Sequence, residues 1–187
     1  MEKTNKNSLS DWIKPAIIAF VIYILIRTFL FSSYDVEGKS MQPTLEDGNK
    51  LVVNKINYQI HDINRFDIIV FHANSQEDYV KRVIGVAGDR IRYKDDWLYV
   101  NGEKVDEPYL EKFKEGFPGQ DFTGDFTLKE LTDMTKVPEG KLFVMGDNRL
   151  ESADSRHFGY IPVENVVGKV DVRYWPVNDF NFKFTGE

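Results

Sequence analysis

Pro15–Ile26 (PAIIAFVIYILI) is an unbroken apolar run, and it constrains this 187-residue chain more than any other stretch. With its flanks, from Trp12 to Phe31, it reaches the ~20 residues that an α-helix needs to span a bilayer. No polar face recurs at helical spacing, which argues against an ordinary core helix. Arg27 lies close enough to the far end to carry its guanidinium back to the headgroups. Lys3, Lys6 and Lys14 precede the run and favour a cytoplasmic N-terminus with everything after the run outside. A cleaved secretory leader also begins with lysines and an apolar run, and Ser32-Ser33-Tyr34-Asp35 offers it a weak small-x-small site. The expectation is a retained anchor: a cytoplasmic tail over 1–11, a transmembrane helix over 12–31 and an exterior domain over 32–187.

The formal net charge is −6, and residues 1–31 carry four cations against Glu2 and Asp11, so the exterior part is more acidic still. Nucleic acid as a partner is excluded, because it requires a basic footprint. There is no cysteine, which removes disulfides, thiolate metal sites and a cysteine nucleophile. His61, His72 and His157 are scattered without ligand spacing, so neither metal nor any other cofactor is expected.

From Val36 onward the pattern is mostly strand. Lys50–Ile56 and Phe66–Phe71 are short, β-branched apolar runs bounded by turn residues, as in strands buried on both faces. Trp97–Val100 and Glu103–Val105 flank Asn101-Gly102, whose tolerance of positive φ predicts a type I′ hairpin. The polar stretch 111–136, with Gly116, Pro118, Gly119 and Gly124, reads as a variable, mobile insertion or a small excursion from the main sheet. Strands resume at Leu142–Met145 and Val166–Trp175, with Phe180–Phe184 as a closing strand.

Gly38-Lys39-Ser40-Met41-Gln42-Pro43-Thr44-Leu45 sets a serine in a Gly/Pro turn just beyond the apolar run. A serine hydroxyl becomes a useful nucleophile only when a neighbouring base takes its proton. No histidine lies in a hydrolase-like pattern, and the turn lacks the last glycine of a G-x-S-x-G elbow. Lys81, in Asp78-Tyr79-Val80-Lys81-Arg82-Val83-Ile84-Gly85, is the other candidate. At its ordinary pKa only roughly one lysine in 2,500 is neutral at pH 7, so a lysine base has to be desolvated. In a strand, Tyr79 and Val83 share its face and supply apolar company. Taken alone, that segment still reads as an ordinary solvated strand lysine.

A third segment, Gly146-Asp147-Asn148-Arg149-Leu150-Glu151-Ser152-Ala153-Asp154-Ser155-Arg156, is dense in polar groups. In this order, behind an apolar run, the three segments resemble the motifs of type I signal peptidases, membrane-bound Ser/Lys proteases that remove leader peptides. The resemblance extends to about Trp175. It implies a signal-peptidase/SOS-repressor-like β catalytic domain behind one transmembrane helix, with Ser40 as nucleophile and neutral Lys81 as general base. It implies that Ser152 orients the lysine amine, and that Asp147, Arg149, Asp154 and Arg156 brace the site, although Asp–Arg pairs also simply hold turns. Met41 is expected beside the nucleophile, or as a plain core methionine. Gly38 stands where Gram-negative members have an oxyanion-binding serine, and with the short insertion and single span it suits the Gram-positive type.

The resemblance also implies a cell-membrane, single-pass protein near the secretion translocon. Its partners would be the lipid bilayer and the signal peptides of exported preproteins, cut after small residues at −3 and −1. An extended substrate would add as a strand beside a sheet edge, and the residues before Ser40 and those around Asp78–Lys81 are the candidate edges. Rival readings are a Ser/Lys autoprotease of the SOS-repressor kind, which would carry a DNA-binding domain, and an inactive tethered binder of exported chains. Phe180, Phe182 and Phe184 are read either as the core face of a closing strand or, with Trp175, Phe29 and Phe31, as a group that dips into the bilayer.

Overall fold

The computed structural model describes residues 9–55, 63–116, 119, 121–182 and 184. Helix α1 (Leu9–Phe29) starts within the expected tail and leads directly into strand β1 (Phe31–Asp35). Trp12, Ile13, Ile17, Ile18 and Phe20–Ile24 on α1 are all exposed. Among the described residues no helix is long and apolar enough to cross a membrane.

Beyond α1 the chain is mostly β. The strands are β2 (Lys50–Asn54), β3 (Ile68–His72), β4 (Asp78–Gly85), β5 (Ile91–Lys94), β6 (Trp97–Val100), β7 (Glu103–Val105), β8 (Phe126–Thr127), β9 (Lys141–Met145), β10 (Ile161–Pro162) and β11 (Val166–Trp175). One seven-stranded antiparallel sheet runs β1-β2-β11-β3-β4-β9-β10, and a smaller sheet runs β7-β6-β5-β8. The hairpin predicted at Asn101-Gly102 forms, with φ of 54° and 94° at its two turn residues.

Burial explains the strand alternation. On β3, Ile68 and Val70 face a cluster with Met41, Leu45, Leu51 and Val170, while Ile69 and Phe71 face one with Val83, Val144 and Ile161. Both faces of β3 are therefore covered, as its continuous apolar run requires. The expectation fails for β2, where Leu51 and Val53 are buried but Lys50, Val52 and Asn54 are half-buried. Near the β1 edge only one sheet face is covered, so the strand alternates. Where β11 bends across β2, a Cβ on Gly168 would lie 2.4 Å from the Asn54 carbonyl oxygen, so only glycine fits.

A third cluster joins the two sheets, with Ile84, Phe143 and Met145 against Ile91, Tyr93, Leu98 and Phe126. The 111–136 stretch is partly built into this joint. After a 3₁₀ turn at Pro108–Leu110 come α2 (Glu111–Glu115), strand β8 on the smaller sheet, and α3 (Leu128–Thr132), which opens on a Thr127–Glu130 capping box. Phe122, Phe126 and Leu128 are buried.

Among the described residues the closing strand expected over Phe180–Phe184 is not formed. A 3₁₀ turn at Val177–Asp179 is followed by a single bridge between Arg173 and Asn181, and Lys183 lies outside the described residues. Phe184 joins the core while Phe180 and Phe182 are exposed, so the three rings do not share one face.

Candidate active site

Two features build the turn that carries Ser40. The Lys39 carbonyl accepts from Gln42 N–H at 3.1 Å, and the Met41 carbonyl accepts from Leu45 N–H at 2.9 Å. Met41 and Leu45 are buried in the core, which ties the turn down on both sides and leaves Ser40 half-buried at its crest. Met41 is thus a core methionine that also lines the cleft beside the serine. Gly38 enters the turn at φ +88°, a conformation that favours glycine. Its N–H donates to Asp47 Oδ1 at 2.7 Å and is already committed there.

Lys81 lies in β4 opposite Ile69 of β3, and its Nζ is 2.6 Å from Ser40 Oγ. The lysine is only 4% exposed, and Tyr79 lies on the same face with its ring centroid 5.4 Å from Nζ. Burial lowers the Lys81 pKa to about 8, against the pull of the Asp154 and Asp147 carboxylates, which raise it. At that value about one lysine in ten is neutral at pH 7.

The segment after β9 closes over the serine turn. Asn148 N–H donates to the Ser40 carbonyl at 3.1 Å, and Asn148 Nδ2 donates to the Lys39 carbonyl at 3.2 Å. Gly146 permits this approach: a Cβ there would meet the Ser152 hydroxyl oxygen and the Ser40 carbonyl oxygen at 2.2 and 2.3 Å. Ser152 Oγ is buried and makes no hydrogen bond among the described residues, although it is near enough to Asp154 to favour the ionised carboxylate.

The four charged residues named from the sequence are all buried or nearly so, but they do not pair with one another as a set. Asp154 pairs with Arg156 through two bonds of 2.9 Å and accepts from Gly146 N–H at 3.0 Å. Burial pushes the Asp154 carboxyl up, but these donors outweigh it and its pKa lies below the ordinary value. The same residue caps α4 (Ser155–Phe158). Asp147 instead takes a bidentate pair from Arg82 at 2.9 and 2.7 Å. Arg149 reaches across to Glu107 at 2.5 Å and to the Tyr93 hydroxyl at 2.9 Å. Ser155, given no role from sequence, accepts from Val144 N–H at 2.9 Å and joins the segment to β9.

Ser40 and Lys81 sit in a groove of about 480 Å³. One wall is Tyr34–Met41 and the other is Asp78–Lys81, with Glu151 and Ala153 at the end. The Tyr34 hydroxyl donates to Asp78 Oδ2 at 2.9 Å and links the two walls. Among the described residues no histidine lines the groove. Its chemistry is that of a hydroxyl held against a desolvated amine between two extended segments.

The sequence model of the family described as "Signal peptidase, peptidase S26" matches residues 9–175. The chain belongs to the S26 signal peptidase family. It is 61% identical over 170 residues to signal peptidase I of Bacillus caldolyticus, covering 91% of this chain and 93% of that one. It is 45% identical over 186 residues to signal peptidase IB of Staphylococcus aureus, covering 97% of both. The crystal structure of a signal peptidase I from Enterococcus faecalis V583 matches with a TM-score of 0.56 and 42% identity, covering 59% of this chain and 97% of that chain.

In this S26 chain Ser40, Met41 and Lys81 line one groove, Asp147 and Ser152 lie on the segment that closes over the serine turn, and Arg149, Asp154 and Arg156 take their ion-pair partners as described above. Sequence reasoning missed Arg82, Glu107 and Gly146 as contributors. Arg82 carried a usable signal, since the residue after Lys81 in a strand must point to the opposite face. Glu107 carried none, because its partner Arg149 is 42 residues away.

Proposed function

We propose that this protein is a membrane-tethered serine endopeptidase that removes signal peptides from exported preproteins. The observation that carries the reading is the 2.6 Å contact between Lys81 Nζ and Ser40 Oγ, with the lysine buried. Neutral Lys81 takes the hydroxyl proton as Ser40 Oγ attacks the scissile carbonyl. The resulting ammonium returns that proton to the leaving amine, which is the new N-terminus of the mature protein. Lys81 then deprotonates water, which attacks the ester and frees the leader. The Ser40 backbone N–H serves as one oxyanion donor. Ser152 Oγ, buried and without a hydrogen bond among the described residues, is the hydroxyl proposed to turn to the amine and orient it, and the Asp147, Arg149, Asp154 and Arg156 pairs hold the segment that carries it.

The substrate is an extended leader lying between Tyr34–Met41 and Asp78–Lys81, with small residues at −1 and −3 against Val36, Val80 and Ala153. Helix α1 supplies the membrane tether: it exposes apolar side chains all round, as only a lipid-embedded or core helix does. Lys3, Lys6 and Lys14, ahead of the apolar run, favour a site on the outer face of the cell membrane, where the translocon delivers preproteins.

The test incubates the purified protein with a preprotein bearing an Ala-x-Ala site, beside Ser40→Ala and Lys81→Ala variants. Cleavage after that site by the wild type alone is the expected result. Binding without cleavage by the wild type would support a tethered binder instead, and cleavage surviving both substitutions would place the active site elsewhere.

A further inference from the structure

A second groove, of about 460 Å³, lies beside the first across the serine turn. The two share Lys39 and Glu151 on a common rim, so one extended peptide crossing Ser40 can occupy both. That rim is firm, because Asn148 holds the carbonyls of both Lys39 and Ser40. The second groove has an apolar lining of Pro43 from the serine turn, Leu150 from the segment after Asn148, and Phe113 from α2. Leu150 is 52% exposed, an apolar side chain left open among polar neighbours. Around this lining stand Lys39, Lys112, Glu46 and Glu151, none of which forms an ion pair among the described residues.

We propose that this groove is the subsite for the mature side of the substrate. It would hold the first residues after the cleaved bond as an extended strand, with one apolar side chain seated on Phe113 and Leu150. The assignment rests on the peptidase reading above and adds to it a determinant beyond the small residues before the bond. Direction follows from the path of the chain. A leader's apolar core reaches the site from the bilayer, and the first groove is walled by the end of β1, which continues directly from α1. The second groove is walled by α2 and rimmed with charge, which suits the more polar stretch that follows the cleaved bond. Its unpaired charges are two of each sign, so neither sign is favoured and apolar contact sets the preference.

The experiment uses the full chain in detergent with two peptides that share a leader segment ending in Ala-x-Ala. One stops a single residue past the bond, and the other continues for four residues that include a leucine. The expected ratio of kcat/KM, long over short, is roughly tenfold for the wild type, the discrimination one apolar side chain gives. In Phe113→Ser and Leu150→Ser it falls toward one, while Met134→Ser, on an exposed position outside both grooves, keeps the wild-type ratio. Near-UV circular dichroism confirms that each variant is folded. A wild-type ratio near one, or variants that keep the tenfold ratio, overturns the subsite while leaving the peptidase reading intact. Variants that instead relax the choice of residue at −1 or −3 overturn the direction assigned. Failure of the wild type to cut either peptide overturns the peptidase reading and the subsite with it.

Discussion

At the scale of a single residue, Lys81 is set apart by its solvation, and the proposed chemistry turns on it. A lysine exposed on a strand is almost wholly protonated at pH 7, whereas this one is 4% exposed and its pKa is lowered to about 8. Activity should therefore rise with pH through an apparent pKa near 8 and flatten above it. A profile governed by a group near 6.5 would point to a histidine and defeat the dyad. The same burial makes a prediction about stability. The folded pKa lies below the unfolded one, so between about 8 and 10.5 the unfolded chain holds a proton that the folded chain has lost. Wild-type stability then rises with pH across that window, and below it charged Lys81 is a burden of about 3 kcal/mol. Lys81→Met should be inactive yet as stable as wild type or up to about 3 kcal/mol more stable at pH 7, with the gap closing by pH 10.5. Urea unfolding at both pH values measures this, and a variant clearly less stable at pH 7 refutes the assignment.

At the scale of elements, β4 and the segment after β9 are fastened by a buried ion pair. Arg82 and Asp147 are essentially fully buried and pair through two bonds, and the remaining guanidinium nitrogen donates to the Phe66 and Phe184 carbonyls. Breaking such a pair from one side strands the other charge. Asp147→Asn should cost about 3–5 kcal/mol in unfolding free energy, and it should also move the activity profile to lower pH. That sign follows because the Asp147 carboxylate raises the Lys81 pKa, so its removal lowers it further. Replacing both partners together, Arg82→Met with Asp147→Leu, should recover much of the stability without restoring the profile. A double variant as unstable as the single one would show that the pair is not what joins the two elements.

Across the whole molecule, exposed aromatics stand level with both ends of β1. Phe31 pairs with Asn54, whereas Trp175 pairs with Lys50, which is also the partner of Asp35 at the other end of the strand. Four strand residues separate those ends by about 14 Å. Trp175 is therefore level with the Asp35 end of β1, away from where α1 enters, and Val177, Phe180 and Phe182 that follow it are also exposed. If both ends of β1 touch lipid, the strand lies along the bilayer and the groove opens at its surface. Phe184 is buried, so it takes no part in that contact. With Trp12 and Trp97 replaced by Phe, the fluorescence of Trp175 in proteoliposomes should be quenched by brominated lipid tails. Unquenched emission from the folded protein would remove the membrane contact at this end.

The apolar run, the β-rich remainder, the Asn101-Gly102 hairpin and the candidate pair Ser40 and Lys81 were legible in the sequence. Each is written in local periodicity, turn chemistry or a short motif, and such signals act over a few residues. The closing strand at Phe180–Phe184 misled because alternation reports which face a residue would take, not whether a partner strand is there to pair. What the tertiary structure alone decided is who meets whom. The register of β3 on β4 and the covering turn at Gly146 bury Lys81 beside a serine 41 residues away. The same folding hands Asp147 to Arg82, 65 residues distant, and Arg149 to Glu107, where the sequence alone suggested that neighbouring aspartates and arginines would pair. Burial selects those partners, because a charge taken out of water persists only beside whichever opposite charge the packing brings within reach.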